Sequence, residues 1–131
     1  MRKASKDPIT EFLYTNQFSS VMNRTKWGEL ADAIRSNPDF YPSVRIKYLD
    51  EEVSGTRFAG LDWEWVKYGD SRVIEWMDID STKRTHIGRL VGDQITDFST
   101  WVRASLQQHS IPFSEADGIF RINGYLKPND K

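Results

Sequence analysis

Cysteine is absent from the 131 residues, which removes disulfide scaffolds, thiol nucleophiles, Cys-ligated zinc and iron–sulfur clusters together. Histidine occurs only as His86 and His109, with no H-E-x-x-H or related spacing, so the ligands of a zinc hydrolase are not assembled. Gly-x-Ser-x-Gly, a P-loop and Gly-x-Gly-x-x-Gly are missing as well, which leaves serine hydrolysis and nucleotide binding without support. No apolar run approaches the roughly 18 residues of a membrane span. The basic start, Met1 to Pro8, is not followed by the apolar stretch of a signal peptide, and a cytoplasmic protein is expected.

Aromatic residues are plentiful: five Trp, five Tyr and seven Phe supply bulky material for one core. Eighteen Lys and Arg face nineteen Asp and Glu, and this near-neutral total hides a segregation along the chain. Residues 1–49 carry +3, residues 50–80 carry -6 and residues 81–131 carry +2. The acidic middle contains Trp63, Trp65, Tyr68 and Trp76. Local fields of this kind govern partner choice more than the average does. Solvated strand faces account for the same acids without any partner.

Asp7-Pro8 predicts a short helical turn carrying Phe12 and Leu13, in an arm over residues 1–21. A helix is predicted over Lys26 to Arg35, with Trp27, Leu30, Ala31 and Ile34 on one face, Asn23 or Thr25 as cap and Asn37-Pro38 as stop. Three strands follow, about Val44 to Leu49, Arg57 to Tyr68 and Arg72 to Asp80. A polar turn at Asp50 to Gly55 joins the first two, and Tyr68 to Ser71 joins the second pair. In the second strand Leu61, Trp63 and Trp65 share a face opposite Asp62 and Glu64. In the third, Val73, Met77 and Ile79 share one with Glu75, leaving Ile74 and Trp76 with Asp78 and Asp80. After a basic connection, Ser81 to Gly92, a helix over Gln94 to Gln108 is capped by Asp93, with Ile95, Phe98, Trp101, Val102 and Leu106 as its stripe. A last strand spans Gly118 to Leu126, and 127–131 is a polar tail. The fold class is therefore α+β: helix, three-stranded antiparallel meander, helix, strand, with the helices on one face of the sheet and a single domain over 22–126.

Asp62-x-Glu64 and Asp78-x-Asp80 each place two carboxylates on one face of a strand, and neighbouring strands would gather enough donors for Mg²⁺-dependent phosphodiester hydrolysis. Such pairs are also common on any acidic sheet. Lys83, Arg84, His86 and Arg89 form a compact basic loop suited to phosphates, although nucleic-acid binders carry a basic overall balance that this chain lacks.

Asn23 to Leu30, Gly60 to Trp65, Val73 to Trp76 and Asp117 to Tyr125 together resemble a family of small bacterial proteins of unknown function, over about Met22 to Leu126. In size, α+β order and acidic aromatic sheet the chain is also generically similar to immunity proteins that neutralise toxins. The -6 segment, the absent catalytic motifs and that likeness together lead to the expectation of a non-enzymatic inhibitor of a basic, nuclease-type toxin, docking through the acidic, Trp-bearing surface of Asp62, Glu64, Trp65, Glu75, Trp76, Asp78 and Asp80. No catalytic residue, metal or cofactor is expected. A phage-encoded inhibitor of a host defence protein is an alternative of the same class; a metal-dependent phosphodiesterase and a nucleic-acid-binding domain are the others. Direct nucleic-acid binding is disfavoured, no membrane partner is expected, and a homodimer is left open.

Overall fold

In a computed structural model, which describes residues 7–49 and 57–128, Asp7-Pro8 opens the first helix, α1 (Pro8–Thr15), and the Asp7 carboxylate accepts from the Ile9 N–H at 3.1 Å. The segment that follows is stitched into the body. Strand β1 (Ser19–Ser20) pairs antiparallel with β8 (Tyr125–Leu126), and Phe18 lies against both Phe12 and Tyr125. Asp7 also meets Arg72 at 2.5 Å.

Helix α2 (Arg24–Arg35) starts on an Asn23 side-chain cap, 2.8 Å from the Lys26 N–H, and buries the expected stripe of Trp27, Leu30, Ala31 and Ile34. Strand β2 (Val44–Tyr48) is also where its alternation places it. The meander's middle strand is not. Residues 63–68 form helix α3 (Trp63–Tyr68), and only Ala59 makes a lone antiparallel bridge, to Val44. Over six residues, alternation and a helical i, i+3 pair fit one sequence equally, and the ends decide. Asp62 caps the Glu64 N–H, Glu64 sits in the first turn, Lys67 in the last, and the Gly69 N–H closes on the Trp65 carbonyl. Trp63 and Val66 are the residues buried. The Asp50 to Gly55 turn lies outside the described residues.

After a 3-10 turn at Ser71–Val73, β3 (Ile74–Asp80) runs through the sheet interior. Its pairing with β2 steps from Lys47–Trp76 to Tyr48–Ile74 and passes over Glu75. This bulge reverses the expected sides at one end of the strand: Ile74 joins Met77 and Ile79 in the core, whereas Glu75 turns to meet Lys47 on the other face. Gly124 lies against the bulge. Its N–H donates to the Glu75 carbonyl at 2.8 Å and its own carbonyl accepts from Val21.

The helix expected over Gln94 to Gln108 is shorter, because its first turn belongs to a strand. Strands β4 (Thr82–Thr85) and β5 (Gln94–Asp97) form a separate two-stranded ribbon, and α4 (Ser99–Gln108) begins after it with Asp97, not Asp93, receiving the Ser99 N–H. Ile95 therefore leaves the helical stripe, while Val102 and Leu106 remain buried in it. Strand β6 (Ser114–Ala116), absent from the expected order, makes a hairpin with β7 (Ile119–Asn123) around Asp117-Gly118, both at positive φ.

The main sheet has the order β2-β3-β7-β6 with every neighbour antiparallel. Val44, Met77, Ile79, Phe120 and Ile122 form one face of it, and they share a single core with Trp27, Leu30 and Ile34 of α2, Trp63 and Val66 of α3 and Val102 and Leu106 of α4. Placing three helices on this face leaves the other for polar side chains.

Candidate functional site

Alternation in β2 and β7 sends Arg45 and Lys47, and Arg121 and Asn123, to the face opposite the core. Antiparallel register then aligns Arg45, Asp78, Arg121 and Ser114 as one row across all four strands. Asp78 is 1% exposed and accepts four hydrogen bonds: from Arg45 Nε and Nη2 at 3.2 and 2.8 Å, and from Arg121 Nε and Nη2 at 2.7 and 2.9 Å. Burial alone would push its carboxyl up, but the hydrogen bonds from Arg121 and Arg45 outweigh it and hold the group below the usual carboxylate range. A carboxylate kept ionised and saturated with donors is a poor proton acceptor; the arrangement suits electrostatic grip rather than proton transfer.

Around the row, the Arg121 guanidinium stacks 3.7 Å above the Trp76 ring, and Arg45 lies 4.5 Å from the Phe58 ring centre. Lys47 holds Glu75 at 2.6 Å, and Lys127 approaches the other Glu75 oxygen at 3.7 Å. The row opens into a groove of about 400 Å³ lined by Arg45, Asp78, Arg121, Ser114, Ile119 and Asp117.

The seven residues expected to form an acidic docking surface divide. Glu75, Trp76 and Asp78 come together here, yet all three are buried, with both acids neutralised by cations of the same chain. Asp80 accepts from Thr82 at the strand end. Asp62, Glu64 and Trp65 sit on α3, beyond the core from Asp78: Asp62 is a helix cap, Glu64 lies 3.5 Å from Arg35, and Trp65 meets Tyr48 edge-on. The four-carboxylate metal constellation accordingly does not form, and among the described residues no three His, Asp or Glu side chains converge. Sequence reasoning missed Arg45, Lys47, Arg121 and Lys127. Their signal was Arg45 and Lys47 at alternate positions of β2 and Arg121 on β7, the two strands flanking one that carries Glu75 and Asp78.

The β4–β5 ribbon is a second region. Arg84 stands opposite Ile95, and the tip runs from His86 to Asp93. Leu90 is 99% exposed, and Ile87, Val91 and Ile95 are each more than half exposed. Of the four basic residues expected to act together, Lys83 donates to the Asp39 carbonyl and His86 lies 3.5 Å from Asp93, whereas Arg84 and Arg89 have no partner among the described residues. The ribbon's base is fixed by the Phe98 N–H bonding the Ser81 carbonyl.

A family model whose description is a family of unknown function (DUF6678) matches residues 9–129. The chain belongs to this family. Comparison with curated proteins and with solved structures gives no match. The DUF6678 span begins inside α1 rather than near Met22, so the helix and strand expected to be an extension lie within it, together with the charged row and the ribbon. Among the described residues no helix is long and apolar enough to cross a membrane.

Proposed function

We propose that this chain is a non-enzymatic protein-binding module that docks through the β4–β5 ribbon. The observation that carries this reading is the exposure of Ile87, Leu90, Val91 and Ile95 on one slender element beside Arg84 and Arg89, which have no partner among the described residues. Single exposed aliphatics are ordinary, but four within one short ribbon supply the apolar anchors that an interaction surface uses. A two-stranded ribbon is also marginal in water and gains order from a partner. Arginine next to aliphatic anchors suits a partner pocket that is apolar inside and rimmed by carboxylates.

The partner is thus an acidic protein, not the basic toxin expected from the sequence. Neutralising a basic toxin requires exposed acid, and the sheet's Glu75 and Asp78 are already paired within the chain. Nucleic acid is less suited to the ribbon, since aliphatic side chains offer bases nothing to stack on. A cytoplasmic setting belongs to the same proposal and is read out by fractionating the native cells.

The test is affinity capture from those cells with the wild type and the L90D and R84E/R89E variants, with light scattering on each. A protein that binds the wild type saturably, weakens with salt and is lost from both variants supports the reading. A partner retained equally by the variants would overturn it. So would a wild-type dimer that L90D converts to monomer, because the ribbon would then join two copies of this chain.

A further inference from the structure

The Arg45–Asp78–Arg121 row holds more positive charge than its own neutrality needs. One guanidinium suffices to balance Asp78, yet two converge on it, both with nitrogens within 3 Å of Oδ2. Each guanidinium carries five N–H donors and directs only its Nε and Nη2 edge at Asp78. Among the described residues the Nη1 group of each has no partner. The side chains are 30% and 40% exposed, and both residues line the groove. Guanidinium donors not spent on Asp78 can make charge-assisted hydrogen bonds to an anion arriving from outside.

We propose that this groove is a binding site for a small oxyanion, a carboxylate or phosphate, held on the Nη1 edges of Arg45 and Arg121. About 400 Å³ is the size of a small-metabolite site. Asp117, at the turn on the groove's rim, repels a second negative charge and favours a ligand that turns a hydroxyl or amino group toward it. Glu115 is already bound to Arg103 at 2.6 Å and adds no free charge. The ligand class is therefore a small hydroxy- or amino-acid rather than a polyanion, with a doubly charged phosphate held more weakly. This site lies on the main sheet, apart from the ribbon, and stands or falls independently of the docking reading.

Trp76 supplies the readout, because an anion that draws on Arg121 alters the guanidinium stacked 3.7 Å from its ring. Glycolate, glycine, acetate and inorganic phosphate are titrated at matched ionic strength, following tryptophan emission and heat by calorimetry. The expected result is saturable binding with a Kd of about 1 mM or tighter for at least one probe. R121K, which keeps the charge but loses the planar fork, should weaken it about tenfold or more. The apolar triple variant R45M/D78L/R121M removes both cations and the carboxylate they hold; shown to be folded by circular dichroism, it should bind none. A response no larger than that to chloride, or one that survives in R121K and the triple variant, would overturn the proposal.

Discussion

Asp78→Asn removes one charge and almost no volume, and it tests directly what the row contributes to folding. In the wild type the carboxylate gathers four N–H donors. The amide offers only one oxygen and turns its own N–H₂ toward guanidinium donors. Breaking a buried pair from one side costs about 3–5 kcal/mol, and the arginines' access to water sets the expectation at the lower end, about 3 kcal/mol. With a urea slope near 1.5 kcal/mol/M, the midpoint should fall by about 2 M at pH 7. The pH dependence follows from the direction of the Asp78 shift. Its folded-state pKa is depressed, so its contribution is fully present above the unfolded value near 3.8 and is lost as the pH falls through the lower folded value. The gap between wild type and D78N should narrow below about pH 4 and be constant above about pH 5. A midpoint shift under about 0.5 M at pH 7, or a gap unchanged down to pH 3, would refute the reasoning.

Three other substitutions probe separate parts of the chain. Gly124→Ala sets a Cβ 2.3 Å from the Ile74 carbonyl oxygen, which the bulge holds in place, and should cost about 3 kcal/mol in chemical denaturation. Asn23→Ala removes the α2 cap and should cost about 1 kcal/mol, or roughly 3 °C in a thermal melt. Leu90→Asp should leave the urea midpoint within the change expected for about 0.5 kcal/mol, since a 99% exposed side chain contributes nothing to the core; a larger loss would show that the ribbon tip packs on the body.

The fold class and most of the core were legible because periods of 3.6 and 2 carried them. Trp27, Leu30 and Ile34 on α2, and Phe120 and Ile122 on β7, fell where alternation and helical spacing put them. Errors arose where two local rules competed. Residues 63–68 satisfied alternation, and the boundary residues Asp62, Lys67 and Gly69 that overruled it were present but given too little weight. Asp117-Gly118 was an explicit hairpin signal of the same kind, and reading it as the start of one strand hid β6. The bulge at Glu75 is a different matter: it depends on Gly124 approaching from another strand, which no local pattern encodes. For that reason the expected docking face included Glu75 and Asp78 without the cations that pair with them and the burial that withdraws them from the surface. Their cations come from β2, β7 and Lys127, up to 52 residues away along the chain.

Salt separates the two charged regions. The -6 of residues 50–80 suggests a field directed outward, which screening would weaken; the row instead turns Asp78 inward, where it is 1% exposed. Arg84 and Arg89 on the ribbon are exposed and, among the described residues, unpaired. At 1 M salt the Debye length is about 3 Å, against about 10 Å at 0.1 M. Between those concentrations capture through the ribbon should weaken by more than about tenfold, because long-range attraction to a carboxylate-rimmed pocket is screened. The stability gap between wild type and D78N should change little, since a carboxylate that is 1% exposed leaves no room for screening ions between itself and its donors. A gap that collapses in step with ribbon binding would mean that the row is solvated and that its arginines are held by surface charge alone.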